Sequence, residues 1–203
     1  MSPATTTPHK AAAPRALPRM LEHYRKEIAP ALATQFNHKN VMAIGRLEKI
    51  VLNIGCGEFA RDAKILEAVQ RDLGLISGQR PVVTRAKKAI SNFKIRENDP
   101  VGCKVTLRRR TMYDFLEKLI SIALPRIRDF RGLSPNGFDH GGNYSFGLQE
   151  HTIFPEIQIE KIHVPMGMDI AVVTTAKTRE EAFALLKGFG FPFAKMSQPR
   201  TTE

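Results

Sequence analysis

The chain has no tryptophan, two cysteines and three tyrosines in 203 residues. Cys56 and Cys103 each sit among apolar or small residues. That excludes a disulfide scaffold and a cysteine-based zinc site, and it fits a reducing compartment. With Trp absent and Tyr scarce, broad base-stacking platforms are disfavoured. No apolar run reaches the length of a membrane-spanning helix, so no membrane partner is expected. The N-terminus lacks the apolar core of a secretory signal. Acidic residues are also in deficit, 20 Asp/Glu against 31 Lys/Arg.

What is present is ordinary for a globular protein: 42% hydrophobic and 25% charged residues, enough to bury a real core. The length allows one domain or at most two small ones. The excess charge is not spread evenly. Residues 80–110 carry ten Lys/Arg and two Asp/Glu, net +8, while residues 111–203 are net −1. A solvated basic face is the plain alternative, but so local a concentration exceeds what solubility requires. It suits a polyanion, because each phosphate neutralised releases condensed counterions. The stretch alternates like strand and carries Gly/Pro breaks, which argues against a basic amphipathic helix on a membrane.

Along the chain, residues 1–16 are low in complexity and read as a disordered extension. Pro18 opens a helix with Leu21, Tyr24, Ile28, Leu32 and Phe36 at helical spacing, kinked or broken at Pro30. Arg46 to Ile54 alternates as a strand. Asp62 is an N-cap for a helix closing near Gly74. Val82 to Thr84 is a short strand. Phe93 to Arg96 and Val101 to Arg109 read as a hairpin across the turn residues 97–100. Thr111 is expected to cap the next helix, which Pro125 ends. Residues 131–142 form a long loop. Strands are expected near residues 144–149, 156–162 and 168–175, and Thr178 starts a last helix. Hairpin-like neighbours and unsegregated helices predict an α+β fold, an antiparallel or mixed sheet with helices on one face. One domain over residues 17–195, followed by a polar tail at 196–203, is the expected organisation.

Catalytic readings are weak. Val51 to Ala60 contains Gly55-Cys56-Gly57 between a strand and a helix, like the first motif of S-adenosylmethionine methyltransferases. Asn53 stands where those enzymes usually carry Asp, and the bulky Phe59 would fill cofactor space. The region after the helix supplies no acid for ribose hydroxyls. A Gly-rich turn is the simpler reading. His140 and His151 flank a Gly-rich loop without metal-ligand spacing and read as solvated. The aromatic run from Gly188 to Phe193 reads as core packing. No catalytic group, cofactor or metal site is expected.

Several blocks in order carry more information: Ile76 to Ile90, Gly102 to Arg108, Pro125 to Leu133, Asn143-Tyr144-Ser145, Ile153 to Ile157 and Thr174 to Lys177. Together, from about Leu21 to Phe193, they closely resemble the bacterial ribosomal protein L-five family. The resemblance implies a structural, non-enzymatic protein of the large ribosomal subunit. Its sheet would bind 5S ribosomal RNA and attach it, with large-subunit RNA and neighbouring 5S-binding proteins, in the central protuberance. A basic loop would reach P-site transfer RNA, and another loop would bridge to a small-subunit head protein. A non-ribosomal RNA-binding module remains the other non-enzymatic reading.

Carried over residue by residue, the resemblance assigns 5S RNA contacts to Asn53, Gln79 and Thr106. Amides and hydroxyls on neighbouring strands can hydrogen-bond sugar hydroxyls and base edges. It implies phosphate contacts for Arg80, Lys94, Arg96, Lys104 and Arg108. Arg85, Lys87 and Lys88 match the transfer-RNA-reaching segment, and Arg131 and Asn143 the subunit bridge. The sequence departs from the family pattern at four places. Arg108-Arg109-Arg110-Thr111 replaces Arg-Gly-Glu-Arg. Asp139-His140-Gly141-Gly142 lacks an Arg between glycines. His163 to Met166 lacks a basic pair, and Glu97 and Asp99 put acid into a turn.

Overall fold

A computed structural model of the chain describes residues 17–158, 162 and 164–194. The expected extension at 1–16 and the tail at 196–203 lie outside the described residues. Five strands form one sheet: β1 (Leu47–Gly55), β2 (Val82–Arg85), β3 (Pro100–Leu107), β4 (Tyr144–Leu148) and β5 (Met168–Thr174). Their order is β2-β3-β1-β5-β4, and every neighbouring pair is antiparallel. The fold is α+β, as expected.

Strand alternation decides which face the core takes. Ile50, Leu52 and Ile54 of β1 are fully buried, beside Cys103, Val105 and Leu107 of β3 and Ile170 and Val172 of β5. A register shift between Leu47 and Lys49 returns Leu47 to the buried side. Against this face pack Val69, Leu73 and Ile76 of α3 (Ala63–Ser77), Met112, Phe115 and Leu116 of α4 (Arg109–Lys118), and Ala182, Leu185 and Leu186 of α5 (Arg179–Gly188). Each large aliphatic side chain so buried contributes about 1.5–3 kcal/mol. Phe189 and Phe191 are buried as well, so the aromatic run packs into the core as read.

Pro30 does not break the first helix. α1 (Arg19–His23) runs into a π-helical turn at Tyr24–Ile28 and continues as α2 (Ala29–Gln35). The widened turn closes with Ala29 N–H donating to the Tyr24 carbonyl, next to the proline that lacks a donor. α4 repeats the device: a π-turn at Leu119–Ala123 precedes Pro125 by the same interval, with Leu124 N–H on the Leu119 carbonyl. The first helix therefore absorbs Pro30 and continues, whereas the second ends at Arg126, directly after Pro125, as expected.

Four further boundaries differ from expectation. α3 keeps its Asp62 cap on Lys64 N–H at 2.9 Å, but passes Gly74 and ends at Gly78, which takes φ +65° and donates to the Gly74 carbonyl. Residues 93–96 are not a strand. β3 pairs with β2 instead, and Lys94 at φ +53° breaks the alternation. Thr111 is not the cap of α4; Arg108 occupies that position, and the Thr111 hydroxyl donates to its carbonyl at 3.0 Å. Residues 156–158 lie in a turn after Phe154, not in a strand. The rest of that expected strand falls on residues 159–161, outside the described residues, and Ile162.

Candidate nucleic-acid interface

The face of the sheet opposite the helices is built from the other strand parity. Val51 and Asn53 of β1 lie between Thr106 and Lys104 of β3 on one side and Ala171 and Asp169 of β5 on the other. Ser145 and Gly147 of β4 and Val82 of β2 extend the same row. Lys104, Thr106, Asp169 and Ser145 are exposed and Asn53 is half-buried. Asn53, Lys104 and Thr106 thus stand together as a polar patch on adjacent strands. Asn53 Nδ2 lies 3.5 Å from Asp169 Oδ2, a weak hydrogen bond that presents the amide beside a carboxylate.

Gln79 and Arg80 lie outside the strands, and Arg108 follows β3 directly, extended and with the parity of Lys104 and Thr106. They gather at the end of the sheet where β3 finishes and α3 gives way to β2. The Gln79 amide donates to the Thr111 hydroxyl at 3.2 Å, and that hydroxyl donates to the Arg108 carbonyl. Gln79 therefore has one amide hydrogen engaged and its oxygen available to a ligand donor. Arg108 pairs with Glu48 across β1 at 3.5 Å with both side chains half exposed. Such a pair is worth little in water and can open for phosphate. Arg80 is exposed.

Arg85, Lys87, Lys88, Lys94 and Arg96 belong to the opposite end. Residues 86–99 form a loop between β2 and β3. Arg85 Nη1 donates to the Asn98 carbonyl at 3.0 Å, and the Asp99 carboxylate accepts Arg96 N–H at 2.8 Å. Lys87, Lys88 and Arg96 are exposed. The eight residues of β3 separate the two basic ends by roughly 23 Å at strand rise. Of the ten cations in residues 80–110, Lys104 stands in the middle of the open face. The charge excess therefore brackets the sheet more than it covers it.

The two bridge candidates divide. Arg131 is exposed beside Gly132, which takes φ +99° where a Cβ would lie 2.6 Å from Ala194 N. Asn143 is largely consumed internally. Its Nδ2 donates to Asp139 at 2.8 Å, its Oδ1 accepts Thr174 N–H at 3.2 Å, and its own N–H donates to Asp139 at 2.7 Å. Those donors hold the Asp139 carboxyl below its ordinary pKa. His140 is exposed as read, but His151 is not solvated: it is 1% exposed, with Nε2 3.7 Å from Asp72 and Nδ1 against the Met166 backbone.

The methyltransferase alternative fails on topology. Its cofactor site needs a parallel strand-helix-strand unit. Here β1 has antiparallel neighbours on both sides. Sequence reading missed Asp169 and Glu48, the two acids set against the assigned contact residues. Asp169 was findable from the alternation of Met168 to Val173. Glu48 was not, because the shift near Leu47 changes the strand's phase.

Comparison with known proteins gives a consistent result. The family described as "Ribosomal protein L5" matches residues 40–96, and the C-terminal region of the same ribosomal family matches residues 100–193. "Large ribosomal subunit protein uL5" of Symbiobacterium thermophilum is 62% identical over 172 residues, covering 85% of this chain and 96% of the relative. The protein of the same description from Caldanaerobacter subterraneus subsp. tengcongensis is 60% identical over 87% of this chain and 99% of its own length. That from Clostridium tetani is 55% identical over 88% and 99%.

Proposed function

Because the chain belongs to the ribosomal protein L5 family, a structural and non-enzymatic component of the large ribosomal subunit in the cytoplasm, we propose that its open sheet face binds 5S ribosomal RNA and attaches it in the central protuberance. The observation that carries this reading is the patch of Asn53, Lys104 and Thr106 on adjacent strands, flanked at one end by Gln79, Arg80 and Arg108. Amide and hydroxyl groups there meet sugar hydroxyls and base edges, and the flanking arginines meet phosphates. Lys94 and Arg96 supply phosphate contacts at the other end. Large-subunit RNA and neighbouring 5S-binding proteins complete the attachment.

The loop with Arg85, Lys87 and Lys88 reaches P-site transfer RNA. Exposed cations can follow a phosphate backbone without demanding sequence, which a ligand that changes every cycle requires. Arg131 faces the small-subunit head protein. Asn143 serves the same bridge indirectly, by fixing the 139–144 turn.

Binding of the purified chain to 5S ribosomal RNA, with transfer RNA as competitor across a salt series, tests the reading. The expected result is tight binding that survives competitor, with a salt slope of a few phosphates. Weak binding that competitor removes, with a steep slope, would reduce the basic stretch to a generic polyanion site.

A further inference from the structure

Phe93 is 71% exposed, at the tip of the basic loop, and Ile90 beside it is 46% exposed. A single exposed apolar side chain is common on protein surfaces. The backbone that carries this one is not a floppy loop. Ile90 and Ile95 exchange both N–H···O bonds, at 2.9 and 3.1 Å, and Lys94 N–H donates to the Ser91 carbonyl at 2.9 Å. Ser91–Phe93 is a 3-10 turn, and Lys94 closes it at φ +53°. The second level of the loop is tied by Ala86 N–H to the Asp99 carbonyl and Asn98 N–H to the Ala86 carbonyl, at 2.8 and 3.0 Å. The result is a small hairpin on a hydrogen-bonded stem, with an aromatic ring in solvent at its end.

Its surroundings are cationic. Arg85, Lys87 and Lys88, the cations read as transfer-RNA contacts, share the loop with the ring. An open groove of about 860 Å³, with Ser91, Lys94 and Arg96 on its walls, runs along the hairpin's base. Two acids, Glu97 and Asp99, share the loop; Asp99 accepts the Arg96 backbone N–H, and the cations still outnumber the acids. An exposed ring on a rigid tip, with cations for a backbone around it, has the parts of a stacking site for a single nucleobase. A protein partner for the ring would have to satisfy the same cations with acids.

We propose that Phe93 stacks on an unpaired base of the RNA that this loop binds, so that the loop holds its ligand by a base as well as by phosphates. This rests on the reading of the loop as a transfer-RNA contact and adds a residue and a mode of recognition to it. Every base offers a π-face, so stacking adds hold without adding sequence preference, as a ligand of changing identity demands.

The absence of tryptophan makes the test direct, because Phe93→Trp creates the only indole in the chain. The full-length variant is titrated with transfer RNA at low salt while binding is followed independently by filter retention. Stacking predicts strong quenching of the indole that saturates with binding. Phe93→Ala and Phe93→Leu should each lose about tenfold in affinity, with the salt slope unchanged. Phe93→Trp should retain wild-type affinity. Binding without quenching, or full affinity in the leucine variant, overturns the stacking proposal and leaves the loop reading intact. If wild-type chain binds no transfer RNA, that reading fails by itself, and titration of the tryptophan variant with a single-stranded oligoadenylate decides the proposal: quenching sustains it and a silent indole overturns it. Capture of the ring by an acidic protein surface in place of RNA would overturn it too.

Discussion

Asn53 and Asp169 face each other across β1 and β5, with the amide nitrogen 3.5 Å from the carboxylate. A contact at that limit does little to hold the amide. Its larger consequence is a negative charge in the middle of a face proposed to bind RNA. Asp169→Asn removes the charge and keeps the shape. Its affinity for 5S ribosomal RNA is expected to rise about threefold at low salt, with the gain shrinking as salt screens it. An unchanged or weakened affinity in the same titration would put Asp169 in a positioning role for Asn53.

Thr106 and Gln79 should fail differently. Thr106 is exposed on β3 and its hydroxyl serves nothing else among the hydrogen bonds described, so Thr106→Val keeps the strand and removes one proposed RNA contact. Gln79 also bonds Thr111, so Gln79→Ala loosens the junction of α3 and α4. Both substitutions are expected to weaken 5S binding by about 1–3 kcal/mol. Only Gln79→Ala should lower the thermal midpoint as well. Calorimetry beside a binding titration separates the two.

Arg109 takes φ +51° at the first residue of α4. It stands where the family pattern carries glycine. A side chain in the left-handed region costs roughly 1 kcal/mol, which glycine avoids. Arg109→Gly should therefore raise stability by about that amount in denaturant unfolding. The same change removes an exposed cation beside Arg108. If Arg109 touches phosphate, the salt slope for RNA should fall by nearly one.

How much of this was legible beforehand follows from the range of the interactions. The faces of β3 and of β1 beyond Lys49, the Asp62 and Thr178 caps and the α+β class depend on neighbours a few residues away, and alternation and capping chemistry express them. Leu47, before the register shift, is buried where alternation puts it on the open face. The partner of β3 does not. Phe93 and Ile95 alternate like a strand, yet the left-handed Lys94 turns them into a hairpin tip, and β2 takes the place beside β3. His151 read as a loop histidine because Asp72, its partner, lies far off in sequence on α3. Pro30 misled for the opposite reason: a local rule was right about the lost hydrogen bond, and a π-turn absorbed it. At the interface, residue types were legible and their grouping was not, since only the register shows Gln79 and Arg108 at one end and Lys87 and Lys88 at the other.

Cys103 is fully buried, and burial first, then the neighbouring Cys56, push its thiol from an ordinary 9.0 up to about 11. Burial raises Cys56 in the same direction. The folded chain then keeps a proton that the unfolded chain releases above about pH 9. Stability from this group is complete below that pH and is lost as pH rises toward 11. The thiolate is the reactive form. Iodoacetamide at about pH 8.5 should label native chain at about a tenth of the denatured rate or less, and unfolding midpoints should fall between about pH 9 and 11. Rapid native labelling would mean that the β1–β3 junction opens in solution.

Lys87 and Lys88 test whether the transfer-RNA contacts of the loop are separate in function from the 5S-binding face. They lie at the loop end, roughly 23 Å of strand from Gln79 and Arg108, and both are exposed. Replacing them together with alanine removes no buried contact, so the thermal midpoint should stay within about a degree. Affinity for 5S ribosomal RNA should stay within about threefold, because the open face and the Gln79 end are untouched. Occupancy of transfer RNA in the P site of ribosomes carrying the variant should fall severalfold at low salt, with the difference from wild type shrinking as salt rises. Loss of 5S binding with unchanged transfer RNA occupancy would reverse the assignment: the loop would then be the 5S anchor, and the open face would need another ligand.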